Sequence, residues 1–417
     1  MSYRSFEFLK KIYFVRTGGS KEEEKAANLI KEEVAKLGGN AELEAFEIDG
    51  SNIKVAKLLI DGKEYECAGS GYSGNTPEEG TEGEFIFISS EEDLNMHSLK
   101  GKIILTNTKR VPHKYYLKAV KDGALGFIVT TGSVYKDKDE VDLDPYLNRD
   151  IDYKEGKIPT VMIRMSDAEK ILEKLPNKVK LTLIAEDYKC NSHNVVAEIK
   201  GSAYHDEIVT LTAHYDSVSF SKGAYDNGTG SITLLQLFDY YKKNQPKRTL
   251  KFIWCGSEEM GLLGSKAYVR DHEDEVKEKV VLNINVDMVA ATIGNDIACV
   301  TGENDVVTYI RYVSKEVGFP ISVRQGVYSS DSTPFADKGV PAISFARLAR
   351  QGGATIHSHD DVIERLSEEN YVKTCNFLIE LSSRWINAYQ FPIEKKMPDN
   401  MKEELDYYLA RKERPSK

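Results

Sequence analysis

The chain has 417 residues, of which 41% are hydrophobic, so it is long enough for two domains or for one large domain with an insertion. Its formal net charge of −10 at pH 7 argues against the basic face that a nucleic-acid-binding protein needs. No stretch approaches the roughly 20 apolar residues of a membrane span, and the N-terminus has no apolar signal segment, so we expect neither a membrane partner nor a signal peptide.

The first predicted element is an amphipathic helix in the stretch SKEEEKAANLIKEEVAKLGG, with Ser20 as a candidate N-cap, an acidic first turn and a Gly-Gly stop. A strand follows and is expected to end near Ile48. From about residue 60 the sequence predicts short strands, many turns and one helix, in YYLKAVKDG. We therefore predict a small β-rich domain over residues 60–188, inserted into a larger domain made of residues 1–59 and 189–417.

Strands alternate with helices from about residue 190 onward. The stretches EIVTLTAHYDS, TLKFIWCGSEE, KVVLNINVDMV and VPAISFARL predict strands, while NGTGSITLLQLFDYYKKN, NDVVTYIRYVSKEVG and EENYVKTCNFLIELSSRWINAY predict helices. This alternation predicts an α/β fold with a mostly parallel central sheet and helices on both faces. Because ligands in such sheets bind beyond the carboxyl ends of the strands, we expect functional side chains at the strand ends. The last stretch, MKEELDYYLARKERPSK, predicts a charged helix.

A histidine and two aspartates lie close together in the stretch AHYDSVSFSKGAYDNGTG. His214 follows a predicted strand, and Asp216 is placed to accept the second ring N–H and fix the tautomer. Taken alone, His214 fits a buried histidine of the core better than a ligand. Asp226 lies in a glycine-rich turn that allows a close approach to a ligand, and it fits a metal ligand and a helix N-cap equally well.

Further carboxylates and histidines follow three later strands. Glu258 and Glu259 are adjacent, and they repel each other unless a cation or a proton intervenes. One of them can bind a metal while the other takes a proton from water, although such a pair alone is more typical of a solvated helix start. Asp287 ends an apolar strand, where an unpaired carboxylate is costly, which favours a ligand. The stretch ATIHSHDDV adds His357 and His359, of which at least one is expected to bind a metal.

Together these residues predict a site for two zinc ions. Imidazole and carboxylate groups suit Zn²⁺, and a shared carboxylate bridges two metal ions about 3.5–4 Å apart in hydrolases that activate water. Other catalytic classes fit worse, because the sequence has no Gly-x-Ser-x-Gly elbow, no Walker loop and no Gly-x-Gly-x-x-Gly opening a helix.

With these motifs in place, the sequence resembles the double-zinc aminopeptidases, a family that includes glutamate carboxypeptidase, glutaminyl cyclase and the transferrin receptor. The resemblance is carried by AHYDS, GAYDNGTG, SEEMGLLGS, NVDM and IHSHDD, which span roughly residues 190–390. It implies a zinc-peptidase (phosphorylase-like) α/β fold. It also implies roles at the matching positions: Asp226 bridges both zinc ions, His214 and Asp287 complete one, Glu259 and His357 complete the other, Glu258 is the general base, and Asp216 orients His214.

The motif IHSHDD resembles the family pattern Ile-His-Thr-x-x-Asp. This alignment selects His357 rather than His359 as the ligand, and it implies that Asp361 supports His357 from behind.

The stretch SSDSTPF departs from the family's Ser-Asp-His pattern, because Ser332 stands where the family often has histidine. The resemblance therefore makes Asp331 and Ser332 candidates for substrate specificity. Tyr328, just upstream, is a candidate donor to the oxyanion of the reaction, and Tyr225 is an alternative.

The predicted insertion resembles a protease-associated domain. The stretches LKGKIILTNTKR, KAVKDGALGFIVTT and IPTVMIRMSDAEKIL carry this resemblance. It implies a domain that restricts access to the active site.

The resemblance implies a zinc aminopeptidase that hydrolyses N-terminal residues from peptides. The alternative is a co-catalytic zinc carboxypeptidase or aminoacylase, which shares the ligand order but usually has Lys-Gly after the motif of the bridging aspartate, where this chain has DNGTG. A carboxypeptidase also needs arginines for the free carboxylate, and Arg324, Arg347 and Arg350 are available. A non-catalytic binding protein is the third reading, and the presence of all five ligands and of Glu258 argues against it.

The cysteines predict reduced thiols in a cytoplasmic protein, because they are scattered and form no Cys-x-x-Cys pair. They are Cys67, Cys190, Cys255, Cys299 and Cys375. The expected partners are peptide substrates, and self-association is left open.

Overall fold

The structure is a computed structural model that describes residues 5–144, 146–350, 353–412 and 414. Its strands are β1 (Ala41–Ile60), β2 (Lys63–Tyr65), β3 (Ala68–Gly69), β4 (Thr81–Ile88), β5 (Lys102–Thr106), β6 (Gly126–Thr131), β7 (Thr160–Arg164), β8 (Lys178–Ile199), β9 (Tyr204–His214), β10 (Arg248–Cys255), β11 (Val280–Val286), β12 (Gly294–Thr301), β13 (Ser322–Gln325) and β14 (Ala342–Ala349).

The α-helices are α1 (Ser5–Leu9), α2 (Lys21–Lys36), α3 (Glu91–Met96), α4 (His113–Asp122), α5 (Asp150–Tyr153), α6 (Met165–Lys174), α7 (Thr229–Lys243), α8 (Leu263–Asp271), α9 (Glu273–Glu278), α10 (Asn304–Val317), α11 (Ser332–Asp337), α12 (Glu368–Ile386) and α13 (Asp399–Tyr408). Among the described residues, none of these helices combines the length and the apolar character needed to cross a membrane. The helix predicted for the C-terminal stretch is α13, while residues 413 and 415–417 of that stretch lie outside the described residues.

The chain divides into two compact units. A discontinuous unit contains Met1–Ile48 and Asn191–Lys417, and an inserted unit contains Asp49–Cys190. The sequence analysis placed the insertion at residues 60–188. The inserted unit starts at Asp49 rather than at residue 60, because β1 continues to Ile60 and its second half belongs to that unit. The sequence analysis expected this strand to end near Ile48.

The sheet of the discontinuous unit has the strand order β13-β12-β14-β11-β9-β10-β8. The four strands β10, β9, β11 and β14 are parallel neighbours, while β8 and β12 pair antiparallel with β10 and β14. The predicted α/β fold with a mostly parallel central sheet is confirmed. Strand β12 was missed by the sequence analysis. The parallel core brings the carboxyl ends of β9, β10 and β11 to one edge.

Two helices of this unit show why the sequence folds as it does locally. Helix α2 begins after Ser20, whose Oγ accepts the N–H of Glu23 at 3.0 Å, as the capping pattern predicted. Helix α7 is buried from Thr229 to Asp239, so it is a helix of the core rather than of the surface. The turn that precedes α7 is therefore attached to one of the most buried elements of the unit.

The inserted unit contains the parallel strands β4, β5, β6 and β7, with an apolar cluster on each face of the sheet. The prediction of a single helix is wrong here, because α3, α4, α5 and α6 all lie in this unit, while the strands β2 to β7 fit its predicted β-rich character. Parallel neighbours need crossover connections, which are usually helices. Helix α4 covers the predicted helix YYLKAVKDG up to its C-cap, Gly123, and the sequence pattern did not reveal α3, α5 and α6.

Candidate active site

The ends of three adjacent parallel strands supply most of the predicted site residues. Strand β9 ends at His214, which lies beside Cys255 at the end of β10, and β11 ends one residue before Asp287. The Glu258–Glu259 pair follows β10 after two residues, Gly256 and Ser257. The last residues of each of these strands are buried, so the side chains that come directly after them lie at the carboxyl edge of the sheet.

Asp216 connects the end of β9 to the glutamate pair. Its carboxylate accepts the backbone N–H of Glu258 at 3.0 Å and that of Glu259 at 3.2 Å. Its Oδ1 also lies 3.4 Å from Nδ1 of His214. Asp216 is fully buried, so these contacts hold the histidine ring and the two glutamates in fixed relative positions.

Asp226 lies between two histidines. Its Oδ1 is 3.2 Å from Nε2 of His214, and its Oδ2 is 3.2 Å from Nε2 of His357. Asp287 Oδ1 lies 3.6 Å from Nε2 of His214, and Glu259 Oε2 lies 3.0 Å from Nε2 of His357. Asp226 occupies the turn Ala224–Gly228, where its φ and ψ of −108° and 95° depart from helical geometry and aim its side chain into the cluster.

Three groups of side chains offer ligand atoms that lie within 4.8 Å of one another. They are His214, Asp226 and Asp287; Asp226, Glu259 and His357; and His214, Glu258 and Glu259. The structure therefore brings together every side chain that was predicted as a metal ligand. His359 belongs to none of the three groups among the described residues, and it is 43% exposed. The site opens toward solvent beside His357, whose side chain is 37% exposed, whereas that of His214 is 3% exposed.

The cluster carries more buried negative charge than its own cations balance. Burial raises the pKa of Glu258 well above its usual range, and Asp331 and Glu259 raise it further against the opposing effect of His214. Burial likewise raises the pKa of Glu259 to about 7. Burial also acts on Asp226, but contacts with His214 and His357 outweigh it and lower the pKa of Asp226. Bound cations relieve this accumulation of charge.

Asp361 supports the backbone of the turn that carries Asp226. Its Oδ1 accepts the N–H of Tyr225 at 2.7 Å, and its Oδ2 accepts the N–H of Asp226 at 3.0 Å. The resemblance implied a supporting role toward His357. Among the described residues, the hydrogen bonds of the Asp361 side chain run to this turn and to Ser221, so Asp361 holds Asp226 in place.

A buried arginine that the sequence analysis did not identify lies behind the cluster. Arg16 is fully buried, and its guanidinium donates to the carbonyls of Tyr215, Ile12, Phe14, Lys222 and Gly223. Burial lowers its pKa to about 10, and the carboxylates of the site oppose this shift. The arginine therefore remains charged at neutral pH and binds both ends of the loop between Asp216 and Asp226. A lone arginine in YFVRTGG gives no such signal in the sequence.

The predicted oxyanion and specificity residues lie on the loop after β13 and at the start of α11. Burial raises the pKa of Tyr328, and the carboxylates of Asp287 and Asp226 raise it further. The alternative donor, Tyr225, is already committed, because its hydroxyl donates to Arg347 O at 2.7 Å and accepts from Ala349 N at 3.1 Å.

Ser332 forms a closed triangle of hydroxyl groups with Ser330 and Ser344, at distances of 2.8 to 2.9 Å. Asp331 is 1% exposed, and neither of its carboxylate oxygens has a hydrogen-bond partner among the described residues. Burial raises the pKa of Asp331 to about 6.

One of the three arginines considered for a substrate carboxylate is already engaged. Arg347 is paired with Asp296 through Nη1, and its Nε donates to Ala291 O at 2.8 Å. Arg324 and Arg350 lie on exposed positions, and they belong to β13 and to the residue after β14.

Imidazole and carboxylate groups converge here at the carboxyl ends of parallel strands in an α/β fold. Such a site is typical of the hydrolases. Residues 194–381 match the model of peptidase family M28, and this range contains every side chain of the three groups above. Over this range the chain is similar to peptidase family M28, and it is a peptide hydrolase.

Two relatives show how far the similarity extends. The chain is 28% identical to aminopeptidase YwaD of Bacillus subtilis (strain 168) over 419 residues, which cover 97% of this chain and 87% of that protein. It is also 28% identical to carboxypeptidase Q of Bos taurus, over 65% of this chain and 61% of that protein.

Solved structures extend the similarity to the fold. The crystal structure of BSAP, a zinc aminopeptidase from Bacillus subtilis, superposes with a TM-score of 0.77 at 26% identity, over 94% of this chain and 98% of that chain. The aminopeptidase from Aneurinibacillus sp. strain AM-1 superposes with a TM-score of 0.75 at 23% identity, over 94% of this chain and 95% of that chain, which supports the fold.

Proposed function

We propose that the chain is a zinc-dependent aminopeptidase with two zinc ions. The observation that carries the proposal is the position of Asp226, whose two carboxylate oxygens each lie 3.2 Å from a different histidine. This is the arrangement of a carboxylate that bridges two metal ions. The names of two relatives support the activity, because one is an aminopeptidase and the other a zinc aminopeptidase.

The donor set fits two zinc ions. His214, Asp226 and Asp287 would hold one ion, and Asp226, Glu259 and His357 would hold the other. Two buried oxygens that lack hydrogen-bond partners among the described residues, Asp287 Oδ1 and Glu259 Oε1, support this assignment, because most buried polar atoms in folded proteins have a partner. The third group, His214, Glu258 and Glu259, fits less well. Oε2 of Glu258 lies 3.8 Å from Nε2 of His214, and the group does not include Asp226.

Glu258 is proposed as the general base and acid. Zinc, when bound, supplies Lewis acidity and lowers the pKa of water. The Glu258 carboxylate takes a proton from the attacking water and returns it to the nitrogen of the leaving amine. Its backbone N–H is held by Asp216, so its side chain starts from a fixed position beside His214. Tyr328 is proposed to donate its hydroxyl hydrogen to the developing oxyanion.

The excess of carboxylates favours a substrate with a cationic amino end. Asp226, Asp287 and Asp331 are buried acids, and a free N-terminal ammonium group complements them. The similarity to carboxypeptidase Q supports the second candidate, removal of the C-terminal residue. The engagement of Arg347 with Asp296 weighs against it, because one candidate partner for a substrate carboxylate is already occupied.

The experiment that tests the proposal measures amino-acid release from matched unblocked and N-acetylated peptides, with zinc per chain quantified in parallel. We expect cleavage of unblocked peptides alone, loss of activity with a chelator, and recovery on addition of zinc. Cleavage of N-acetylated peptides from the carboxyl end would move the assignment to carboxypeptidase. Fewer than one zinc per chain in a zinc-loaded sample would contradict the metal assignment.

We also propose that the inserted unit is a protease-associated domain. Two of the stretches that resemble such a domain form β5 and β7, which flank β6 in a parallel sheet. An experimental structure of the chain tests this by the strand order of residues 49–190, and an order unlike that of protease-associated domains would contradict it.

A further inference from the structure

Buried side chains hold the backbone that leads from β10 to the glutamate pair. We call residues 256–259 the glutamate turn. Each of its four N–H groups donates to a buried side-chain oxygen: Gly256 to Asn194 Oδ1 at 3.2 Å, Ser257 to Glu23 Oε1 at 2.8 Å, and Glu258 and Glu259 to Asp216 at 3.0 and 3.2 Å. Of these acceptors, Glu23 is 234 positions from Ser257 in the sequence and was not predicted as a site residue.

Glu23 is 1% exposed and belongs to the first turn of α2. Its Oε1 also accepts the hydroxyl hydrogens of Ser257 at 3.0 Å and of Ser192 at 2.9 Å, and its Oε2 accepts the N–H of Gly19 at 2.6 Å. All of these partners are donors, so both oxygens of the side chain are occupied by contacts within the protein. Glu23 therefore connects the start of α2, strand β8 and the glutamate turn.

Ser257 adopts a backbone conformation that needs such support. Its φ of 51° lies in the left-handed region, which residues other than glycine rarely adopt. Glu23 holds this conformation through two atoms, because the N–H and the hydroxyl of Ser257 donate to the same oxygen. Gly18 packs directly against the turn, since a Cβ atom at Gly18 would lie 2.5 Å from Oγ of Ser257. The torsion angles of Ser257 set the direction in which the chain continues to Glu258.

We infer that Glu23 is a positioning residue for Glu258, the proposed general base. It acts through Ser257, because it fixes the left-handed residue that comes directly before Glu258. This inference rests on the proposed peptidase reaction. Asp216 bonds to the backbone of Glu258 and faces His214, whereas the hydrogen bonds of the Glu23 side chain to described residues reach neither Glu258 nor a proposed metal ligand. Loss of Glu23 should therefore impair the base while zinc remains bound.

The chain offers a control in the same helix. Glu33 is also buried, and it pairs with Lys11 at 3.5 Å and with Lys36 at 3.1 Å. Glu33→Ala thus removes the same side chain from the same helix and leaves every contact of Glu23 in place. Glu23→Gln is the conservative variant, because its amide oxygen still accepts from Ser257. Glu23→Asp keeps the charge, but it is shorter by one methylene group, which draws the carboxylate back from the turn.

The experiment measures kcat and KM of zinc-loaded variants for an unblocked peptide, in the wild-type and in the Glu258→Gln background, with zinc content and thermal midpoint as checks. In the wild-type background, Glu23→Ala should lower kcat about 10- to 100-fold with KM unchanged, because a displacement of about 1 Å costs about 100-fold. In the Glu258→Gln background, it should change kcat by less than about twofold, because the base that it positions is already gone. Glu23→Gln should retain most of the wild-type kcat, and Glu33→Ala all of it.

Hydrogen exchange of the same zinc-loaded variants, followed by mass spectrometry, gives a readout that does not depend on turnover. Glu23→Ala should speed the exchange of a peptide that covers residues 256–262, because the N–H of Ser257 loses its acceptor. Glu33→Ala should leave this exchange as in the wild type. An unchanged exchange rate in Glu23→Ala would overturn the inference.

An equal loss of kcat in both backgrounds would also overturn it, because Glu23 would then support the fold rather than Glu258, and so would an unchanged kcat. If Glu23→Ala does not fold, Glu23→Asp decides by the same comparison. Full activity of Glu258→Gln alone would refute the proposed base, and the inference with it. If the wild type releases C-terminal residues, the aminopeptidase proposal fails, while the same comparison on that substrate still tests Glu23.

Discussion

Replacing Arg16 with Met removes the guanidinium that binds the loop between Asp216 and Asp226, and it keeps a side chain of similar length. Three of the carbonyl acceptors, those of Tyr215, Ile12 and Gly223, are buried with the arginine. Each buried acceptor that is left unsatisfied costs about 1–3 kcal/mol, so the loss in the free energy of unfolding is at least about 3 kcal/mol. Single substitutions rarely exceed about 5 kcal/mol, which sets the upper end.

The assay is urea denaturation of metal-free protein, so that zinc binding does not contribute to the measured stability. Arg270→Met is the matched control, because the side chain of Arg270 is 67% exposed and pairs only with its neighbour Asp271 in the contacts of the described residues. We expect that control to stay within about 0.5 kcal/mol of the wild type. A loss below about 1 kcal/mol for Arg16→Met would refute the reasoning, because it would mean that the carbonyls find other donors.

Three further predictions concern the site and its unit. Glu258→Gln should lower kcat by about 10²- to 10⁴-fold with unchanged zinc content, and an active variant would remove Glu258 from its role. Asp361→Asn should weaken zinc binding by about 10- to 100-fold in competition with a chromophoric chelator, because Asp361 holds the backbone of Asp226; unaltered affinity would contradict this. A hydrogen bond to Glu44 raises the pKa of His272 above 6.5. The contribution of this pair to the stability of the fold is therefore fully present below pH 6.5 and is lost as the pH rises through the raised pKa. Glu44→Gln should therefore destabilise the chain by less than about 1 kcal/mol at pH 6 and by still less at pH 9 in urea denaturation, and an equal loss at both would contradict the pairing.

The sequence indicated those residues whose chemistry is unusual for their position. Asp287 at the end of an apolar strand is conspicuous, because a buried carboxylate needs a partner, whereas the paired glutamates were indicated only in combination with the other residues and by the resemblance. The α/β class followed from the alternation of strands and helices, and the N-cap of α2 followed from Ser20. These features are local, so a single sequence contains them.

Contacts between distant residues could not be predicted in this way. Arg16 reaches loop residues about 200 positions away, and nothing near it in the sequence distinguishes it from a surface arginine. Tyr408 lies in a stretch rich in charged residues, and its contact with Ser329 depends on how α13 packs against α11. Strand β12 was missed because it follows β11 with no helix between them, so the regular alternation of strands and helices that indicated the other strands does not include it.

The shared contacts of Asp216 connect the proposed metal ligands to the proposed general base. One carboxylate accepts the backbone N–H of Glu258 and of Glu259 while it faces the ring of His214. A change at Asp216 therefore disturbs two proposed ligands and the proposed base together. In a double-mutant cycle, Asp216 and Glu258 would behave as one unit whose effects do not add.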